Sequence, residues 1–329
     1  MRRRDFINLL GAAAMARPIG VRAQQLDRVR QIGLLIPFRD DEPQVITRLS
    51  AFKQRLRELG WIESRNIRLD YRFTGQDAER ICTAIEGLIA LGSDAIVAVG
   101  NPSVAIAQKA TQTIPIVFVG VSDPVESGFV TNLGRPGGNL TGFQNFEAAI
   151  GGKWLDLLKE IAPGVRRVAF VNSPSISAQR GFIHSAEAAS TLLGVTITSA
   201  AVQGIADLEH ALTEFAMEPN GGLIVAPFPL ILTLQDRVIA LASDLHLPAI
   251  YPFRYFAVNG GLAAYGFDTV APYRDVASYV DRILKGEKPG NLPVQAPTKY
   301  ELVINLKTAK ALGLAISPEI QLRADELIE

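Results

Sequence analysis

Short apolar runs alternate along the chain with longer segments in which apolar residues recur every three or four positions. The clearest runs are Ile32–Ile36, Ala95–Val99 and Ile116–Val119. Continuous runs of this length are typical of strands that are buried on both faces of a sheet, whereas the longer spacing is typical of amphipathic helices. The repeated order of strand, helix and strand predicts a parallel sheet with helices on both faces.

The first half of the chain follows this pattern closely. A helix is predicted from Pro43 to Gly60, a second over Asp77–Leu91 and a third from Pro102. In Ile67–Tyr71, apolar side chains alternate with charged ones. Alternation of this kind indicates a strand with one exposed face, and we expect this strand at the edge of the sheet.

The same alternation restarts in the second half with a helix around Lys153–Ile161. Strands are then predicted at Arg167–Val171, Val195–Ile197, Leu223–Val225, Ala249–Tyr251 and Leu262–Tyr265, and helices at Ser177–Leu193, Ile205–Phe215, Ile231–Leu245 and Ala271–Leu284. The chain is therefore predicted to fold into two similar α/β lobes. Each lobe is expected to be a doubly wound, Rossmann-like parallel sheet.

The chain is predicted to cross between the lobes more than once. The stretch Arg135–Gly142 is rich in proline and glycine, cannot continue a helix, and is interpreted as the first crossing. Phe267-Asp268 and Pro289–Pro297 are predicted as further crossings. The N-terminal lobe is accordingly assigned to residues 30–142 plus about 268–292, and the C-terminal lobe to residues 143–267 plus about 293–329.

A long motif follows the predicted strand at Ile116–Val119. It reads S-D-P-V-x-x-G-x-V-x-x-L-x-R-P-G-G-N-x-T-G and occupies residues 122–142. Two further signatures lie at Gly260–Gly266 and at Glu301–Leu314, the second of which is followed by Arg323–Glu326. Together these segments resemble the ABC-transporter substrate-binding family whose members include tryptophan- and tyrosine-binding proteins. The resemblance covers nearly the whole chain after the leader.

This resemblance carries expectations about fold and function. It implies the type I periplasmic binding protein fold, in which a multi-crossing hinge joins two lobes. It also implies that a small ligand, such as an aromatic amino acid, binds in the cleft between the lobes. The expected partners are a permease and its ATPase in the inner membrane, with no nucleic acid and no cofactor.

The first residues have the features of a removable leader. Arg2–Arg4 form a basic region, Phe6–Ala16 a modest apolar region, and Val21-Arg22-Ala23 a cleavage site with small residues. Arg3-Arg4-Asp5-Phe6-Ile7 also resembles a twin-arginine export motif. We interpret residues 1–23 as a signal peptide, and we expect a soluble periplasmic protein, monomeric after processing.

Composition excludes several other classes of protein. The 329 residues are 48% hydrophobic, which is enough for two large cores. Without the leader the chain has 28 basic and 32 acidic residues, a balance that offers no footprint for nucleic acid. Cys82 is the only cysteine, so an internal disulfide and a cysteine metal site are excluded. We expect its thiol to be packed on the apolar face of a helix.

Polar residues after the predicted strands are candidates for ligand contacts. Ligands of open parallel sheets bind beyond the carboxyl ends of the strands, and the cleft loops lie there. Asn101, Ser103, Ser173 and Ser175 stand just before predicted helices, whose free backbone N–H groups attract a carboxylate. Each of these residues is equally well explained as a helix cap.

Aromatic and charged residues of the same loops suggest what the ligand looks like. Phe38, Phe228 and Tyr251 are candidate walls for a flat ring, with core packing as the alternative role. Arg254 or Arg39 is a candidate partner for a carboxylate. Asp123, which Pro124 follows in the family motif, is a candidate partner for an ammonium group.

Three functions remain open at this point. The leading one is a periplasmic binding component of an ABC importer for an aromatic amino acid or an aromatic or other organic acid. A periplasmic sensor that works with a membrane receptor is the first alternative. An α/β enzyme is the second, but His184, His210 and His246 are scattered and no catalytic motif is present, so we predict no catalytic residue and no metal site. The loop Ala226–Leu230 has no acidic residue, which weakens the case for an ammonium partner and keeps an aromatic acid without an amine, or another small organic anion, as an alternative ligand.

Overall fold

The computed structural model describes residues 28–75 and 77–329. The predicted leader therefore lies outside the described residues. Within them, the chain forms two α/β lobes, each built on its own central β-sheet, as the alternating pattern predicts. No helix in this part of the chain is long and apolar enough to cross a membrane.

The sheet of the N-terminal lobe has five parallel strands. They are β1 (Arg30–Ile36), β2 (Ile67–Phe73), β3 (Ala95–Val99), β4 (Ile116–Val121) and β5 (Leu140–Gln144). Their order is β2-β1-β3-β4-β5, so the prediction of an edge strand at β2 is confirmed. Three helices follow β1, β2 and β3, namely α1 (Pro43–Glu58), α2 (Ala78–Ala90) and α3 (Gly100–Ala110).

The sheet of the C-terminal lobe has seven strands. They are β6 (Arg167–Asn172), β7 (Thr196–Ala201), β8 (Gly221–Val225), β9 (Ala249–Tyr251), β10 (Ala263–Gly266), β11 (Glu301–Asn305) and β12 (Glu326–Ile328). Their order is β12-β11-β10-β9-β8-β6-β7, and all neighbouring pairs are parallel except β10 and β11. β11 is thus antiparallel to its neighbour β10, and β12 runs parallel to β11.

Helices connect and cover the strands of this second sheet. They are α4 (Ile150–Ile161), α5 (Gln179–Leu193), α6 (Ile205–Phe215), α7 (Pro229–Thr233), α8 (Gln235–Asp244), α9 (Arg254–Val258), α10 (Ala271–Leu284), α11 (Leu306–Ala311) and α12 (Pro318–Arg323), with a short 3₁₀ helix at Pro289–Asn291. α10 and the 3₁₀ helix are exceptions, because Val276 and Val280 of α10 pack into the same core as Phe52 of the N-terminal lobe, and the 3₁₀ helix lies against β5. The chain therefore returns to the first lobe between β10 and β11.

The interpretation of Arg135–Gly142 as the first crossing is wrong. Residues 140–144 form β5, which pairs with β4 in the sheet of the N-terminal lobe. The first crossing follows β5 instead, at Asn145 and Phe146. The proline and glycine residues before β5 form a loop that leads back into the same sheet.

Aromatic rings connect the three crossings. Phe146 lies in the first crossing, Phe267 in the second and Tyr300 in the third. The ring centroids of Phe146 and Phe267 are 5.2 Å apart, those of Phe146 and Tyr300 are 6.0 Å apart, and Phe267 packs edge-on against Tyr300 at 6.3 Å. Such pairs are favourable beyond the area that they bury, so this hinge cluster holds the crossings together.

The expectation of a packed thiol is wrong. Cys82 is exposed on α2, although its neighbours Ile81 and Ile85 are buried. Ile81, Ile85 and Leu88 recur at helical spacing and occupy the buried face, while the next position along the chain is turned by about 100°. The thiol therefore faces solvent.

Candidate functional site

A cavity of about 70 Å³ lies between the two lobes. Its wall includes residues at or soon after the carboxyl ends of β1, β3, β4 and β5 in one lobe and β6, β8 and β9 in the other, together with residues of helices α1, α7 and α10. The carboxyl ends of strands in both sheets thus meet at one place, which is where open α/β sheets bind their ligands. Space of this size holds several water molecules or part of a small organic ligand.

The lobes contact each other around this cavity. The Gln44 side chain of α1 donates from Nε2 to Oε1 of Gln235 in α8, over 3.1 Å. Leu232 of α7 packs against the apolar cores of both lobes. The structure is therefore that of a closed cleft.

Aromatic and apolar side chains form most of the cavity wall. Phe38 and Tyr273 contribute from the N-terminal lobe side, and Phe228 and Phe253 from the C-terminal lobe. Phe253 packs at 5.6 Å against Phe146, a ring of the hinge cluster. A ligand in the cavity would thus contact a ring that packs directly against the hinge.

The N-terminal lobe contributes a polar network to the wall. The Asn101 side chain at the start of α3 donates to the Ser122 carbonyl oxygen over 2.9 Å and accepts from the Ser122 backbone N–H over 2.9 Å. The Ser122 hydroxyl donates to Oδ1 of Asn145 over 2.8 Å, and Asn145 donates to the Gly120 carbonyl over 3.3 Å. These bonds fix the loops after β3, β4 and β5 relative to each other.

A buried glutamine fixes the corresponding loops of the C-terminal lobe. Gln179, the first residue of α5, is 1% exposed. Its Oε1 accepts from the Ser173 backbone N–H over 2.6 Å, and its Nε2 donates to the Pro227 carbonyl oxygen over 3.0 Å. The loops after β6 and β8 are therefore held in place by a side chain rather than by the ligand.

Arg48 is the only charged residue that lines the cavity among the described residues. It lies on α1 and is 6% exposed. Nη2 donates to Oε1 of Gln44 over a long 3.4 Å, Nε has no hydrogen-bond partner, and no carboxylate of the described chain lies within 4.0 Å. Burial of a charged arginine without an acidic partner is costly, so the cavity should favour an anionic ligand.

Two tyrosine side chains lie near Arg48: Tyr273 in the cavity wall and Tyr255 just outside it. Burial raises the pKa of Tyr255 to about 12, and the nearby Arg48 guanidinium opposes part of that rise. Burial also raises the pKa of Tyr273, again with Arg48 acting in the opposite direction. Both phenols are therefore neutral near pH 7 and cannot neutralise the arginine.

The structure brings some of the predicted site residues to the cavity and places others elsewhere. Phe38, Asn101 and Phe228 line it. Ser103 is fully buried within the N-terminal lobe, and its hydroxyl has no hydrogen-bond partner. Tyr251 is 1% exposed and stacks on Phe256 in the core of the C-terminal lobe, at 5.0 Å between ring centroids.

The remaining predicted residues lie outside the cavity wall. The hydroxyls of Ser173 and Ser175 bond to each other over 2.9 Å near the surface. Asp123 has a positive φ of 39°, and its carboxylate accepts the backbone N–H of Glu126 over 3.1 Å, with Pro124 in the turn between them. That carboxylate caps the turn.

The two arginines that were candidates for a carboxylate are both paired on the surface. Arg254 forms a bidentate ion pair with Glu326, with both N–O distances 2.7 Å. Arg39 forms a similar pair with Asp41, at 3.0 and 2.7 Å. Arg48, which sequence reasoning missed, is the unpaired one, and no group of three metal-binding side chains occurs in the described part of the chain.

Two α/β lobes that close over a cavity, joined by three crossings, define a bilobal ligand-binding protein. The family of ABC transporter substrate binding proteins matches residues 41–328, and the chain belongs to this family. The chain is 24% identical over 298 residues to the tyrosine-binding protein of Clostridioides difficile, a match that covers 88% of this chain and 84% of that protein.

Solved structures show the same fold. The ABC domain from Streptococcus pneumoniae in complex with L-Trp superimposes with a TM-score of 0.83 at 23% identity, covering 91% of this chain and 99% of that one. The solute binding protein of the 5-methylthioribose transporter from Thermotoga lettingae, in complex with 5-methylthioribose, gives a TM-score of 0.62 at 17% identity, covering 90% of this chain and 96% of that one.

Proposed function

We propose that this protein is the periplasmic binding component of an ABC importer. It captures a small ligand with an apolar, ring-shaped body in the cavity between its lobes and presents the closed form to a permease. The observation that carries this proposal is the cavity itself, which both sheets form with the carboxyl ends of their strands. Membership in the substrate-binding family supports it.

The hinge is consistent with this cycle of capture and release. All three crossings pass through one aromatic cluster, and packed rings can slide while the lobes themselves stay rigid. Opening would break the Gln44–Gln235 hydrogen bond and the contacts of Leu232, while the cores of the two lobes stay intact. Ligand contacts from both lobes would then favour the closed form.

Binding should be detectable as stabilisation. We expect one class of small molecule, among aromatic amino acids, aromatic acids, sugars and nucleosides, to raise the melting temperature of the exported protein. A hundredfold excess over Kd corresponds to about 2.7 kcal/mol of added stability. Differential scanning fluorimetry over such a panel measures the shift.

Enzyme assays provide the control for this expectation. The stabilising compound should be recovered chemically unchanged after prolonged incubation with the protein. Turnover of that compound, or a panel without a single stabilising molecule, would contradict the proposed function.

A further inference from the structure

The strongest unexplained feature of the cavity is the uncompensated charge of Arg48. The polar groups near its guanidinium are neutral, namely the Gln44 amide and the hydroxyls of Tyr255 and Tyr273. The nearest acid along the chain, Glu42, accepts a bond from the Arg39 backbone N–H and lies beyond ion-pair distance of Arg48. The closed cleft thus encloses a positive charge without its counterion.

A second anion-binding element faces the same cavity. α3 begins at Gly100, and both Gly100 and Asn101 line the cavity. No side chain caps this helix, which is 11 residues long. Free N–H groups and the helix dipole attract negative charge at such a terminus, so they reinforce the preference set by Arg48.

A partner for an ammonium group is missing from the cavity wall. No aspartate or glutamate of the described chain lines it. The carbonyl oxygens of three residues in the wall each accept one hydrogen bond from a side chain: Gly120 from Asn145, Ser122 from Asn101, and Pro227 from Gln179. An α-amino group in this cavity would therefore lie near a buried arginine with no carboxylate among the described wall residues to pair with, which is unfavourable.

We propose that the ligand is a carboxylic acid with an apolar body and no amine, and that Arg48 binds its carboxylate. This inference rests on the proposed function and specifies its substrate class. The aromatic and apolar wall takes the body of the ligand, and the arginine with the start of α3 takes its charged end. The family relatives whose printed names specify tyrosine or L-Trp have ligands that carry an amine, so this chain would differ from them in ligand class.

Arg48 also explains how the ligand promotes closure. In the described structure the guanidinium is largely shielded from water and has no acid within ion-pair distance. A bound carboxylate supplies the missing charge through a charge-assisted, bidentate interaction. Closure without the ligand is therefore disfavoured, and closure with it is favoured.

Matched pairs of ligands test the substrate class. Phenylpropanoate, hydroxyphenylpropanoate and indole propanoate differ from phenylalanine, tyrosine and tryptophan by the α-amino group alone. Isothermal titration calorimetry should show at least one acid that binds tenfold or more tightly than its amino acid. The amide of that acid, which has the same shape but no charge, should bind at least tenfold more weakly than the acid.

The outcomes separate the two proposals. Tighter binding of the amino acids, or binding of a sugar or nucleoside instead of any acid, overturns the substrate class and leaves the capture of a small molecule in place. A protein that binds none of these compounds overturns both.

Variants of Arg48 test the role of the residue. Arg48→Gln should weaken binding of the preferred acid by about 100-fold or more, because the loss leaves the carboxylate buried without a partner. Arg57→Gln is the matched control, since Arg57 lies exposed on the same helix, and it should bind as the unmodified protein does.

Stability distinguishes loss of the contact from loss of the fold. Without ligand, Arg48→Gln should melt at the same temperature as the unmodified protein or higher, because it removes an uncompensated buried charge. An Arg48→Gln protein that is folded and binds the acid with an unchanged Kd would refute the assignment. Arg48→Lys, which keeps the charge but not the planar fork, should retain part of the affinity.

Discussion

Replacement of Gly151 by alanine is expected to destabilise the protein by about 3 kcal/mol or more. Gly151 lies in the first turn of α4, where α4 crosses α5. A Cβ at this position would overlap the backbone carbonyl oxygen of Phe182, and backbone cannot move aside as a flexible side chain can. Urea denaturation followed by circular dichroism measures the loss.

Two other glycines provide a graded comparison. A Cβ on Gly152 would meet the Ser185 carbonyl oxygen at 3.2 Å, so Gly152→Ala should cost clearly less than Gly151→Ala. Gly87, within α2, has open space at its Cβ position, and Gly87→Ala should stabilise the helix by about 0.5–1 kcal/mol. Equal effects of Gly151→Ala and Gly87→Ala would show that the two helices do not approach as closely as described.

The sequence predicts the fold wherever a strand is buried on both faces. β3 covers Ala95–Val99 as predicted, and all five of its residues are buried. The edge strand β2 was equally predictable, because only part of it is buried and its side chains alternate accordingly. In both cases burial alone determines which positions are apolar, so the strand can be predicted from the pattern of apolar residues.

β5 could not be predicted in this way. Its Thr141 and Gln144 are polar although buried, and Thr141 is accommodated because its hydroxyl donates to the Leu292 carbonyl oxygen over 2.6 Å. Gly142 stands in the middle of the strand, where a Cβ would overlap the backbone of Phe118. Because polar residues and a glycine occupy positions that are usually apolar in a buried strand, β5 has no continuous apolar run from which it could be predicted.

The candidate site was predictable in its location but not in its charged residue. Loops after strands were expected to form the cavity, and Phe38, Asn101 and Phe228 lie in its wall. Arg48 was missed because it lies within a helix rather than in a loop. One signal was present: Arg48 falls at helical spacing between Val45 and Phe52, inside the apolar face of α1.

The unpaired state of Arg48 could not be derived from the sequence. Arg39, Arg48 and Arg254 are all near predicted cleft loops, and their pairing depends on which acids the fold brings close. Glu326, the partner of Arg254, is 72 residues away along the chain. Arg39 meets Asp41 within its own loop. Only the tertiary structure reveals which arginine is left for a ligand.

A second large effect is expected from Gln44→Glu, which should weaken binding of the preferred carboxylic acid by about 100-fold. Oε1 of Gln44 already lies 3.4 Å from Nη2 of Arg48. A glutamate there has nearly the same shape and, four residues before an arginine, the orientation that favours an ion pair on a helix. It would therefore occupy the guanidinium and repel the ligand carboxylate.

The same variant should be more stable than the unmodified protein in the absence of ligand, because its new carboxylate compensates the buried charge. Gln44→Met separates this effect from loss of the bond to Gln235, since it removes the amide without adding a charge. For Gln44→Glu, calorimetric titration should therefore show weaker binding of the acid, while the melting temperature without ligand should rise. If Gln44→Met weakened binding as much as Gln44→Glu does, the contact between the lobes, and not the charge at Arg48, would control affinity.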